Sequence, residues 1–109
     1  MTCGAASRSL SAMYLLEVLS GPLDGKTWGF EREITIGRDD AVAGACIALD
    51  RYVSRRHALL RVDGGALKLT DLDSRNGTKI DGRVVSGDVA LAVGAPFVVG
   101  RTVLRVTRG

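Results

Sequence analysis

Three short clusters suited to gripping an anion are spread along this chain of 109 residues: Gly37-Arg38, Ser54-Arg55-Arg56-His57 and Ser74-Arg75-Asn76-Gly77-Thr78. A guanidinium offers a rigid fork of donors, a serine a compact hydroxyl, and an asparagine a donor and an acceptor on one amide. Together these are the parts needed to surround a dianionic group of oxygens with charge-assisted hydrogen bonds. A hydrolytic reading of the same residues fails. His57, the only histidine, follows Ser54 by three positions, but a serine nucleophile also needs an orienting carboxylate and an oxyanion hole, and no GxSxG elbow is present. The expectation is a binding domain that is not an enzyme, with no catalytic residue, no metal and no cofactor.

Each cluster falls beside short runs rich in Val, Ile, Leu and Thr. The runs are Tyr14 to Leu19, Lys26 to Phe30, Glu33 to Ile36, Cys46 to Leu49, His57 to Val62, Ala66 to Leu72, Val89 to Val93, Phe97 to Val99 and Thr102 to Thr107. Several alternate with period two, as in Leu67-Lys68-Leu69-Thr70, the mark of half-buried strands. Turn residues separate them at short intervals, including Ser20-Gly21-Pro22, Asp63-Gly64-Gly65, Asp81-Gly82 and Gly100-Arg101. This punctuation predicts an all-β sandwich or barrel, with antiparallel hairpins at Asp63-Gly64-Gly65 and Gly100-Arg101. The stretch from Asp39 to Ala45 reads as a loop; a helix over Ala41 to Leu49 lacks both a cap and an apolar stripe.

The length fits one domain, and 46% apolar content suffices for a single packed core. A net charge of +3, spread rather than blocked, suits an acidic partner. It argues against nucleic acid, as do an aromatic content of only 5% and the interruption of the basic surface by Asp39, Asp40, Asp50 and Asp73. Cys3 and Cys46 have no metal-type spacing and read as reduced thiols of a cytoplasmic protein. Residues 1–12 read as a flexible tail. Glu17 breaks the apolar run from Leu10 to Leu19 that a signal peptide would need, and no stretch is long enough to cross a membrane as a helix.

In this order and at these separations, Ile34-Thr35-Ile36-Gly37-Arg38, Tyr52-Val53-Ser54-Arg55-Arg56-His57 and Asp71-Leu72-Asp73-Ser74-Arg75-Asn76-Gly77-Thr78 resemble the forkhead-associated (FHA) domain. The resemblance extends from the Ser20-Gly21-Pro22 turn to Leu104-Arg105-Val106, within a domain placed at residues 13–109. It implies an eleven-stranded, antiparallel-rich β-sandwich whose loops bind phosphothreonine in an extended peptide. It further implies that Arg38, Ser54 and Arg55 bind the phosphate, that Asn76 holds the peptide backbone, and that Gly37, His57, Ser74, Gly77 and Thr78 support the site. Arg75 stands where relatives often carry a small residue, and is taken as a further phosphate contact. Arg56 is as well explained by solvent.

Plainer readings stand beside these. Arg38 could pair with Asp39 or Asp40 at the surface, Ser54 could bond its own turn, and Asn76-Gly77 is also a strong hairpin signal. The function implied is an adaptor or regulatory domain for Ser/Thr-kinase signalling. Its partner would be a phosphothreonine-containing protein or peptide, with a kinase upstream and neither nucleic acid nor membrane bound. The alternative is a phosphate-independent protein-interaction domain of the same fold.

Overall fold

A computed structural model describes residues 14–108; the tail expected over 1–12 lies outside the described residues. The described residues form eleven strands: β1 Tyr14–Ser20, β2 Thr27–Phe30, β3 Glu33–Gly37, β4 Ala45–Cys46, β5 Ala58–Asp63, β6 Ala66–Asp71, β7 Thr78–Ile80, β8 Arg83–Val84, β9 Asp88–Leu91, β10 Phe97–Val99 and β11 Thr102–Arg108. They make two sheets, one in the order β2-β1-β11-β10-β7-β8 and the other β4-β3-β5-β6-β9. All pairings are antiparallel except β3 with β4.

Alternation decides the core. Leu16 and Val18 of β1, Thr102, Leu104 and Val106 of β11, and Phe97 and Val99 of β10 are buried from one sheet. Ile34 and Ile36 of β3, Ala58 and Leu60 of β5, and Leu67 and Leu69 of β6 are buried from the other. Successive strand residues point to opposite faces, so these sets meet as one apolar layer between the sheets. The hairpins expected at Asp63-Gly64-Gly65 and Gly100-Arg101 join β5 to β6 and β10 to β11, both antiparallel.

Two local expectations are corrected. The run Cys46 to Leu49 does not continue as a strand: only Ala45–Cys46 pairs with β3. Ile47 still donates its amide to Gly37 O at 2.7 Å, but the chain then turns, with Asp50 N–H on Ile47 O at 3.3 Å, and Leu49 is left exposed. Asn76-Gly77 is not a hairpin turn. β6 pairs with β5 and β9, whereas β7 pairs with β10 and β8, so this loop carries the chain from one sheet to the other.

Register places the three clusters at one end of the sandwich. Ile36 faces Ala58, which faces Asp71; in the opposite sheet Val99 faces both Thr78 and Thr102. The loops after β3, before β5, between β6 and β7, and between β10 and β11 therefore share that end.

Candidate functional site

Arg38 leaves the sandwich where β3 ends. A Cβ on Gly37 would stand 1.9 Å from the carbonyl oxygen of Arg55, so only glycine allows the β4–β5 loop to lie against this strand. The close approach brings Arg38 N–H to Ser54 O and Arg38 Nε to Val53 O, each at 3.0 Å. With Nε engaged in this way, the two η nitrogens make no hydrogen bond among the described residues and remain as a donor fork. Among the described residues Arg38 makes no ion pair, with Asp39 and Asp40 or otherwise.

The β4–β5 loop is anchored from beneath by Asp50. The sequence suggests a surface charge there, but Asp50 is 2% exposed. Its Oδ1 accepts from Tyr52 N–H at 2.9 Å; its Oδ2 accepts from Arg101 N–H at 2.9 Å and from the Thr102 hydroxyl at 2.6 Å. Above it, the Arg101 guanidinium lies 4.4 Å from the centre of the Tyr52 ring. The carboxylate thus fastens the loop to the β10–β11 turn.

His57 fastens the same loop to the next one. Its imidazole is fully buried; Nδ1 accepts from Ser54 N–H at 3.0 Å and Nε2 lies 2.9 Å from Gly77 O. A backbone N–H can only donate and a carbonyl only accept, so the ring proton sits on Nε2. Two further bonds tie the loops: Arg75 N–H donates to Ser54 Oγ at 3.0 Å, and Asn76 Nδ2 donates to Tyr52 O at 2.7 Å. Ser54 Oγ is therefore bonded across loops, not to its own turn. With that oxygen already accepting, the serine proton is free to donate outward.

The β6–β7 loop is shaped by Asp71. Its carboxylate accepts from Ser74 N–H at 3.1 Å, Ser74 Oγ at 2.5 Å and Thr78 Oγ1 at 2.7 Å. Partial burial by itself would raise the Asp71 pKa, but these bonds outweigh it and hold the group below its ordinary value. Gly77 has φ +78°, the left-handed conformation that lets its carbonyl reach His57.

Between the loops lies a cleft of about 340 Å³. Arg38, Ser54, Arg55, Arg75 and Asn76 all line it, as do Arg51 and Tyr52. Gly37, His57, Ser74, Gly77 and Thr78 stand behind the lining, while Arg56 is exposed away from it. Among the described residues, four that bear a guanidinium and none that bears a carboxylate face the cavity. Such a surface offers donors and positive charge to a compact polyanion, and no group placed to act as a base on a nucleophile.

Sequence reasoning gave no role to Asp50, Arg51 or Asp71. Asp50 carries a local sign, the spacing to Tyr52 of an Asx turn, but its bond to Thr102 spans 52 positions. Asp71 is signalled by hydroxyl residues three and seven positions on. Arg51 has no local sign.

Comparison with known proteins agrees with this geometry. A family model described as FHA domain matches residues 34–100. FHA domain-containing protein FhaB of Mycobacterium tuberculosis is 35% identical over 104 residues, 94% of this chain and 65% of the relative. Its Mycolicibacterium smegmatis counterpart is 37% identical over 93 residues, 84% of this chain and 58% of the relative. The chain thus spans less than two thirds of the length of these relatives.

Among solved structures, an FHA domain studied for phosphothreonine-dependent interactions superposes with a TM-score of 0.76 at 31% identity, covering 89% of this chain and 97% of that one. The FhaA FHA domain, complexed with the intracellular domain of Rv3910, gives 0.71 at 31%, covering 85% and 98%. The FHA domain of CT664 from Chlamydia trachomatis gives 0.80 at 24%, covering 87% and 96%, a likeness of fold. With the family model spanning the strands and loops that build the cleft, and with the eleven-stranded sandwich superposing on solved FHA domains, the chain belongs to the FHA family.

Proposed function

We propose that this domain is a non-enzymatic module that binds phosphothreonine in an extended peptide. It would serve as an adaptor or regulatory domain in Ser/Thr-kinase signalling in the cytoplasm. The observation that carries the reading is the convergence of Arg38, Ser54, Arg55 and Asn76, from three separate loops, on one cleft into which no described residue sets a carboxylate.

A phosphothreonine brings a charge of about −1.5 to −2 and three strong acceptor oxygens. In this reading the Arg38 fork takes two of those oxygens, the Ser54 hydroxyl and Arg55 take the third, and Arg75 stands at the rim. Asn76 keeps Oδ1 and one amide hydrogen for the peptide backbone. Because the loops are cross-bonded before any ligand arrives, little ordering cost is left for binding. Relatives support the partner class: one solved FHA domain is described by phosphothreonine-dependent interactions, and another is complexed with an intracellular domain. No helix among the described residues is long and apolar enough to cross a membrane.

The test is an oriented phosphothreonine-peptide library screened against the wild type and Arg38→Ala, followed by titration of one selected peptide with and without its phosphate. Selection by the wild type alone, and loss of affinity on dephosphorylation, are expected. Equal affinity for both forms of the peptide would replace this reading with phosphate-independent docking.

A further inference from the structure

The cleft carries more positive charge than one phosphate neutralises. Arg38, Arg51, Arg55 and Arg75 bring four charges, none of them in an ion pair among the described residues. A phosphothreonine supplies about −1.5 to −2, so about two positive charges are left over.

The flanks of the cleft show where. On one side it continues past Arg38 and Arg55 into a depression also lined by Asp39 and Asp40. Those carboxylates offset the two arginines and repel a further anion. On the other side it continues into a depression of about 440 Å³ whose lining, among the described residues, is Arg51, Tyr52, Arg75 and Asn76, with no carboxylate. The floor there is fixed: Asn76 is held to Tyr52 O at 2.7 Å, and the Tyr52 ring is held against Arg101.

We propose that Arg51 and Arg75 form a second anion subsite beside the phosphothreonine, for another acidic side chain of the same peptide, a carboxylate or a second phosphate. This rests on the phosphopeptide reading above and narrows its ligand class to peptides that are acidic on one flank. An extended chain advances about 3.3 Å per residue, so the second group lies within about three positions of the phosphothreonine. Lone surface ion pairs add little. Two guanidiniums on an immobile floor, closing on one anion, add about tenfold in affinity.

The test uses fluorescence anisotropy with phosphothreonine peptides of otherwise uncharged sequence. One carries no further acid, a set carries a glutamate or phosphoserine at each near position on either side, and one carries it at the far end. A gain of about tenfold confined to near positions on one side is expected, shrinking to less than about threefold in Arg51→Gln. Thermal unfolding of Arg51→Gln checks that the exposed substitution leaves the fold intact.

A gain that does not depend on position, or that survives Arg51→Gln undiminished, overturns the subsite. The two readings fail separately. If the peptide without a second acid binds no better than its unphosphorylated form, the phosphopeptide reading falls. If it binds well and no added acid helps, only the second subsite falls.

Discussion

Replacing Asp50 by alanine should separate the stability of the loops from the chemistry of the cleft. The carboxylate accepts three hydrogen bonds, and Thr102 is fully buried while Tyr52 and Arg101 are exposed. In Asp50→Ala the Thr102 hydroxyl is stranded away from water at a cost of about 2 kcal/mol, since bonds to charged acceptors are worth about 1.5–3. The Tyr52 and Arg101 amides recover water in part, adding about 1–2 kcal/mol together. The total of about 3–4 kcal/mol is a large share of the ~5–15 kcal/mol that holds a domain of this size. It corresponds to a fall in Tm of about 12 °C or more.

Urea unfolding followed by tryptophan fluorescence reads the loss as a lower midpoint at unchanged slope. Thr102→Val on the Asp50→Ala background should cost less than it does alone, because the two groups share one interaction. Arg38→Ala is the counterpart. Among the described residues its exposed side chain makes a single hydrogen bond, to Val53 O, so stability falls by no more than about 1 kcal/mol while phosphopeptide binding is lost. An Asp50→Ala protein destabilised by less than about 1 kcal/mol would refute the view that this carboxylate anchors the loop.

Further consequences follow from the same contacts. Gly37→Ala drives a methyl into the Arg55 carbonyl, which is backbone and cannot swing aside. A loss of about 2 kcal/mol or more in thermal unfolding is expected, with weakened phosphopeptide binding as Arg55 is displaced. The depressed Asp71 pKa sets an acid dependence. Stability from this group is complete above the ordinary aspartate value and is lost as pH falls through the lower folded value, so Asp71→Asn should flatten the acid limb of a stability–pH curve below about pH 4. Phosphothreonine loses its second charge near pH 6. Peptide affinity should therefore fall between about pH 7 and 5, and a peptide bearing glutamate in place of phosphothreonine should bind far more weakly and show no such step.

The fold was readable where the signal is local. Alternation in Leu67-Lys68-Leu69-Thr70 locates β6 because one face of it must be buried. Asp63-Gly64-Gly65 locates a hairpin because the strand twist demands positive φ, which Gly64 and Gly65 adopt. Arg83–Val84 gave no sign, since a two-residue edge strand exposed on both faces has no pattern to show. Cys46 to Leu49 misled for the opposite reason: the apolar run is real, but register with β3 ends at Cys46.

At the site, the residue types in the three clusters were visible, and so was the need for something to draw them together. What draws them together was only partly visible. His57 is a lone histidine whose partners, Ser54 and Gly77, lie in two different loops. Asp50 resembles any surface aspartate until Thr102 is placed beside it, and Arg51 gains meaning only from Arg75 across the groove.

The most direct measurement is a heteronuclear NMR titration of the isotopically labelled domain with a phosphothreonine peptide and its unphosphorylated twin. Shifts should concentrate on Arg38, Ser54, Arg55, Arg75 and Asn76 for the phosphorylated peptide and be absent for its twin. Shifts mapping to the far end of the sandwich, around the Asp63-Gly64-Gly65 hairpin, or the same pattern from both peptides, would contradict a cleft built to hold phosphate.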